Sequence, residues 1–234
     1  MTKLFSSLFA VLVASVTSLA VAQAPATPAQ APAAVTAQAA GGAKVSIDAK
    51  VSQCIGCHGI PGYQATFPEV YRVPKISGQS AKYIASALAA YKTGERKHPT
   101  MRGVAGGLSE QDMAEIGAWY EKQGAGVLTA EKPNHEPNAQ VGALLQKAAC
   151  ASCHGANFSK PIDPSYPKIA GQHKDYLFVA LKAYKTDNNA VVGRSNGVMA
   201  GIAKQFSNAE LKALADYVGT LDGEMQTHPQ SRFR

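Results

Sequence analysis

Two short cysteine–histidine patterns are the parts of this sequence best suited to chemistry. Residues 54–58 and residues 150–154 both read Cys-x-x-Cys-His, and together they use all four cysteines of the chain. This spacing lets two thiols add to the vinyl groups of one haem, and it places a histidine against the iron. The sequence therefore predicts two covalently bound c-type haems, attached through Cys54, Cys57, Cys150 and Cys153, with His58 and His154 as axial ligands.

Two other kinds of site also use paired cysteines. An exported protein often joins such cysteines in disulfides, and two Cys-x-x-Cys knuckles can bind one zinc ion. Both alternatives leave the histidine after each pair without a role. Haem attachment is favoured because it uses every residue of both patterns.

A methionine in each half is the candidate for the sixth iron position. Met101 and Met199 follow their histidines by 43 and 45 residues, each in a glycine-rich, weakly helical loop that suits a core-filling methionine poorly. A thioether ligand stabilises ferrous iron and raises the reduction potential. His98 is an alternative ligand for the first iron, whereas Asn196 stands at the matching place in the second half.

A proline follows each histidine at a similar distance. Pro74 lies 16 residues after the first histidine, and Pro167 lies 13 residues after the second. A proline carbonyl can accept the Nδ1 hydrogen of a ligating histidine and so fix its tautomer. Spacing alone leaves this role open.

The chain contains an internal duplication. The haem patterns stand 96 positions apart, Pro-Lys-Ile-Ser-Gly-Gln at 74–79 matches Pro-Lys-Ile-Ala-Gly-Gln at 167–172, and an Ala-Tyr-Lys-Thr segment recurs. Two copies indicate a duplicated domain and not a solenoid. Three helices are expected in each half. The first precedes the haem pattern, and the second spans about 80–93 in one half and 174–186 in the other. The third begins at a capping box, at Ser109 or Ser207. No segment alternates convincingly as a strand, so the predicted fold class is all-α.

Composition divides the chain further. Lys3, the apolar stretch that follows it and the Ala-Val-Ala at 20–22 indicate a secretory signal, although an uncleaved membrane anchor is an alternative. The expected segments are a signal peptide at 1–22, an Ala/Pro-rich leader at 23–43, domains at 44–130 and 138–222, a linker at 131–137 and a tail at 223–234. Without Lys3 of the expected signal the net charge is +6, and it is divided evenly between residues 44–134 and 135–234, which argues against nucleic-acid binding.

Each half contains, in order, a haem pattern, a Pro-x-Ile-x-Gly-Gln motif, a tyrosine-rich helix and a methionine. In this order of motifs each half resembles a class I cytochrome c. The pair resembles the dihaem cytochrome c4 family over about residues 44–222. In class I cytochromes the proline does hydrogen-bond the proximal histidine, so the resemblance implies that role for Pro74 and Pro167. It also implies two all-α domains around a pseudo-twofold axis, with the haem propionates near the domain interface.

The resemblance implies an electron carrier and not an enzyme. Such a carrier would work in the periplasm, where it would take electrons from a quinol-oxidising complex and pass them to a terminal oxidase. Its partners would be redox proteins, and a loose association with the membrane would be compatible with that role. The alternatives are a cytochrome subunit of a periplasmic dehydrogenase and a dihaem peroxidase, which needs an iron position open to substrate. A longer aromatic insert in the first half, with Tyr63, Phe67 and Tyr71, is expected to reshape one docking face.

Overall fold

Helices supply most of the regular structure. The computed structural model describes residues 45–124 and 131–227. The helices of the first half are α1 (Ile47–His58), α2 (Ala81–Thr93), α3 (Pro99–Gly106) and α4 (Glu110–Lys122). Those of the second half are α5 (Ala139–Lys147), α6 (Ala151–His154), α7 (Lys174–Ala183), α8 (Gly197–Ala203) and α9 (Asn208–Thr220). The predicted all-α class is confirmed.

Capping boxes begin the last helix of each half, as expected. The Ser109 hydroxyl accepts the backbone N–H of Asp112, whose carboxylate accepts the N–H of Ser109 in return. Ser207 and Glu210 make the same pair at the start of α9. Each box satisfies donors that a helix leaves unpaired at its N-terminus.

Several helices differ from the sequence-based expectation. Helix α1 continues through the first haem pattern to His58 and accommodates the single Gly56 in its last turn. Helix α7 ends at Ala183, three residues earlier than expected. The stretches around Met101 and Met199 are short helices, α3 and α8, and their starting caps outweigh their glycines.

Each half has its own hydrophobic core. In the first half α2 crosses α4, and in the second half α7 crosses α9. Ile116 and Leu211, both 1% exposed, are at the centres of the two cores. Burying a side chain of this size contributes roughly 1.5–3 kcal/mol. The helix pairs that carry the tyrosines and the capping boxes are therefore the rigid frame of each half.

Short strands join the two halves directly. The first pair, β1 (Gln64–Ala65) and β2 (Tyr71–Arg72), is a hairpin within the aromatic insert. The second pair joins β3 (Arg96–Lys97) of the first half to β4 (Gly193–Arg194) of the second half, in antiparallel register. The described residues accordingly belong to one compact unit.

The aromatic insert also packs on the second half. The Arg72 side chain pairs with the Asp175 carboxylate at 2.9 Å, and the Asp175 carboxylate also accepts the Arg72 N–H. The buried Tyr71 ring lies 6.2 Å from the ring of Tyr176. One side of the insert thus contributes to the contact between the halves, while Phe67 on it remains 38% exposed.

The expected signal peptide and leader, at 1–22 and 23–43, lie outside the described residues. Within the described ranges, no helix has both the length and the apolar character needed to cross a membrane.

Candidate haem sites

A cavity of about 600 Å³ brings the two cysteine–histidine patterns together. It is lined mainly by apolar side chains from both halves, and its volume is within the range of about 300–1,000 Å³ that small-molecule sites occupy. All the candidate ligands line it: Cys54, Cys57, His58, Met101, Cys150, Cys153, His154 and Met199. The topology therefore collects the predicted residues of both halves around one cavity.

The four cysteines are not joined to one another. None is in a disulfide, and in the unattached form burial raises the pKa of the Cys54 thiol to about 11 and that of Cys150 in the same direction. In the part of the chain that the structure describes, no three His, Cys, Asp or Glu side chains cluster in a way that could hold a metal ion. The geometry therefore favours thiols available to a haem over the disulfide and zinc alternatives.

Each histidine is oriented by the proline that the resemblance to class I cytochromes indicated. His58 Nδ1 lies 2.8 Å from the carbonyl oxygen of Pro74, and His154 Nδ1 lies 2.9 Å from that of Pro167. A carbonyl only accepts, so Nδ1 carries the hydrogen and Nε2 keeps its lone pair. Burial lowers the pKa of both imidazoles, which the carbonyls offset in part, and this favours the neutral form of both rings. Each ring is in the form that binds iron.

The two methionines occupy equivalent positions at the starts of short helices. The Met101 N–H donates to His98 Nδ1 at 3.3 Å, and the Met199 N–H donates to Asn196 Oδ1 at 3.0 Å. His98 and Asn196 are therefore equivalent N-caps. The other ring nitrogen of His98 hydrogen-bonds the Tyr71 hydroxyl at 3.0 Å. Both nitrogens of His98 are engaged, which leaves it poorly placed as a rival iron ligand.

Sequence reasoning missed a pair of arginines between the halves. Arg96 and Arg194 lie opposite each other in the β3–β4 pair, and both line the cavity. The Tyr176 hydroxyl accepts from both guanidinium groups, at 2.6 Å and 3.2 Å. Within residues 45–124 and 131–227 neither guanidinium pairs with a carboxylate, and Arg96 Nε is buried without an acceptor. Their common position, five residues before each methionine, was the available signal.

These arginines suit the carboxylates of a haem. Burial alone raises the pKa of the Tyr176 phenol, but the two guanidinium charges outweigh it and lower that pKa to about 8. A phenol is a weak counter-ion for two partly buried cations, and buried charges need opposite charges. Haem propionates would supply them. The thiols, the oriented histidines and the unpaired Arg96 nitrogen together fit two haems.

Comparisons with known proteins agree with this arrangement. A family model described as cytochrome c matches residues 139–222. A cytochrome c4 from Stutzerimonas stutzeri is 30% identical over 195 residues, covering 78% of this chain and 90% of that protein. A "thiosulfate dehydrogenase electron acceptor" from S. stutzeri strain A1501 is 27% identical, covering 82% of this chain and 90% of that protein.

Solved structures show the same fold. The crystal structure of reduced recombinant cytochrome c4 from Pseudomonas stutzeri matches with a TM-score of 0.54 and 24% identity, covering 75% of this chain and 97% of that one. The cytochrome c4 structure from Acidithiobacillus ferrooxidans matches with a TM-score of 0.53 and 24% identity, covering 73% of this chain and 99% of that one.

Proposed function

Since the chain belongs to the dihaem cytochrome c4 family and carries electrons on two c-type haems, we propose the residues that hold each haem. Cys54 and Cys57 attach the first haem, and its axial ligands are His58 and Met101. Cys150, Cys153, His154 and Met199 do the same for the second. The observation that carries this proposal is the histidine-to-proline hydrogen bond, which recurs beside both cysteine pairs at 2.8 and 2.9 Å.

The residues around each haem would keep the iron ligands in place when the iron is oxidised or reduced. When bound, each haem supplies a one-electron couple between ferric and ferrous iron. Pro74 and Pro167 hold the histidine rings in one tautomer, and the caps on α3 and α8 hold the helix starts that carry the methionines. Arg96 and Arg194, at the contact between the halves, would offset the charge of haem propionates. With both axial positions filled, little rearranges during transfer.

The His98→Asn variant tests the ligand of the first iron. Asparagine reproduces the cap that Asn196 provides in the second half, so the start of α3 is preserved. We expect the sulfur-to-iron absorption band to keep its full intensity in the ferric protein. A change in the ligand field of one haem would mean that His98, and not Met101, binds the iron.

We further propose a position for the chain in periplasmic respiration, between a quinol-oxidising complex and a terminal oxidase. Both partners would be redox proteins, and the net charge of +6 that remains without Lys3 of the signal peptide would favour acidic docking surfaces. The proposed segments are a signal peptide at 1–22, a leader at 23–43, domains at 44–130 and 138–222, a linker at 131–137 and a tail at 223–234.

Oxidation kinetics test this position. The reduced dihaem protein should be oxidised completely by a purified terminal oxidase, and the oxidised protein should be reduced by a purified quinol-oxidising complex. Both rates should fall as salt is added, because electrostatic attraction speeds encounter. Failure of both complexes to exchange electrons with the protein would refute this position in the chain of carriers.

The second candidate role is delivery of electrons from a periplasmic dehydrogenase. It is supported by the relative named as an electron acceptor of thiosulfate dehydrogenase, which matches 82% of this chain. Rapid reduction by a thiosulfate dehydrogenase with thiosulfate, together with no reduction by the quinol-oxidising complex, would favour this role over the first.

A further inference from the structure

Two buried glutamines connect the halves in a crossed pattern. Gln172 of the second half accepts the N–H of Lys75 at 3.0 Å and donates to the carbonyl of Lys75 at 2.9 Å. Gln79 of the first half makes the same two bonds to Lys168, at 3.0 and 2.9 Å. Both glutamines are 4% exposed. Each half therefore holds one backbone segment of the other through a side-chain amide.

The segment that each glutamine holds belongs to the proline that orients a histidine. The Pro74 carbonyl and the Lys75 N–H are the two ends of one peptide group. That carbonyl accepts from His58, and that N–H donates to Gln172. Hydrogen bonds linked through one peptide group polarise each other, with a strengthening of about 10–30% per bond. The link from His58 to the other half is thus continuous.

The second half contains the mirror arrangement. The peptide group between Pro167 and Lys168 accepts from His154 through its carbonyl and donates to Gln79 through its N–H. Each histidine is therefore linked, through a proline peptide group, to the glutamine of the opposite half. The glutamine of its own half is linked in the same way to the other histidine.

The glutamines are held in place from several sides. Gly78 and Gly171, which precede them, have φ values of +85° and +68°. A side chain on Gly78 would come within 2.5 Å of the backbone oxygen of Glu224, so the turn requires glycine. The sulfur of the buried Met225 lies 3.2 Å from Gln79 Nε2 and 3.7 Å from Gln172 Nε2. The amides are consequently fixed in orientation and not merely nearby.

We propose that Gln79 and Gln172 are crossed positioning residues, each of which sets the reduction potential of the haem in the opposite half. This inference rests on the proposed ligand set, in which His58 and His154 bind the irons. A peptide whose N–H is accepted by glutamine has a stronger carbonyl acceptor, which draws the Nδ1 hydrogen and makes the imidazole a better electron donor. Electron donation from the histidine favours ferric iron. Loss of the glutamine acceptor should therefore raise the potential.

The test replaces each glutamine with methionine in the full dihaem protein, because methionine keeps the length of the side chain and is only a weak acceptor. Redox titration followed by the haem-methyl NMR signals gives a potential for each haem, with assignments from the Met101→Ala and Met199→Ala variants. Gln172→Met should raise the ferrous-to-ferric ratio of the His58 haem about twofold at fixed potential, or ~18 mV at 59 mV per tenfold. Gln79→Met should do so at the His154 haem.

Ser80→Ala is the matched control. The Ser80 hydroxyl donates across the same contact to the Pro164 carbonyl at 2.5 Å, but that carbonyl is not the one that a histidine uses. Its loss should leave both potentials unchanged. An equal shift at both haems in all three variants would overturn the proposal, because it would indicate a general loosening of the contact.

A second substitution keeps the proposal falsifiable if methionine disturbs folding. Gln172→Glu provides a charged and stronger acceptor, and it should lower the potential of the His58 haem more than that of the other. A rise instead, or a larger change at the His154 haem, would refute the crossed assignment. If the wild-type protein lacks the sulfur-to-iron band, the proposed iron ligands are wrong. If the wild type has the band and only the glutamine variants lose it, the glutamines have a structural role.

Discussion

Replacing Cys150 and Cys153 together with alanine is expected to leave one covalently bound haem on the denatured chain instead of two. Both thiols line the cavity beside His154, and both are free to add to a vinyl group. Without them no thioether holds the second haem once the protein unfolds, while the first pair is untouched. Intact-mass spectrometry of the denatured protein should find the chain lighter by one haem, in addition to the change from the substitutions.

The control for this experiment is Ser152→Ala, within the same pattern. The Ser152 hydroxyl bonds the Ala149 carbonyl and contacts the sulfur of Cys153 at 3.7 Å, but it offers no thiol. This variant should keep both haems. The reciprocal removal of Cys54 and Cys57 should also leave one. Retention of two haems by either double-cysteine variant would contradict the attachment sites.

The Met199→Ala variant should lose about half of the sulfur-to-iron absorption of the ferric protein, because one of two thioether ligands is removed. Methionine ligation raises the potential of a haem. We therefore expect the potential of one haem to fall by more than 59 mV, which is a tenfold change in its ferrous-to-ferric ratio. Absorption spectra and a redox titration measure both effects in one sample.

Val198→Ala is the neighbouring control, since Val198 is 67% exposed and has no sulfur. It should keep the full band and both potentials. Met113→Leu is a further control, because Met113 is 3% exposed in the first core and substitution by leucine conserves its volume. An undiminished band in Met199→Ala, or a halved band in Met113→Leu, would mean that the wrong methionine has been assigned.

Local patterns in the sequence predicted most of the candidate site. The haem patterns follow from covalent spacing, whereas the role of the prolines was implied by the resemblance to class I cytochromes. In the structure His58 lies against Pro74 and His154 against Pro167. Ser109 and Ser207 also begin their helices as predicted, because a capping box depends on residues only three positions apart.

Features that depend on packing between distant segments were not predicted. The Arg96–Arg194 strand pair and the Gln172–Lys75 bonds join residues about 97 positions apart, and no periodicity encodes such partners. The helix that carries Met101 was mistaken for a loop because its glycines were weighed above Pro99, which is favourable at a first helical position.

The short strand pair between the halves has a consequence for how the duplicated gene product can be divided. A fragment that ended before residue 131 would deprive Arg96 of the Tyr176 hydroxyl and Lys75 of its glutamine, and would expose the edge of β3. We therefore expect either repeat expressed alone to keep its own core but to lack these groups, which only the other repeat supplies. Separating the two copies of the duplicated domain would change the surroundings of both sites at once.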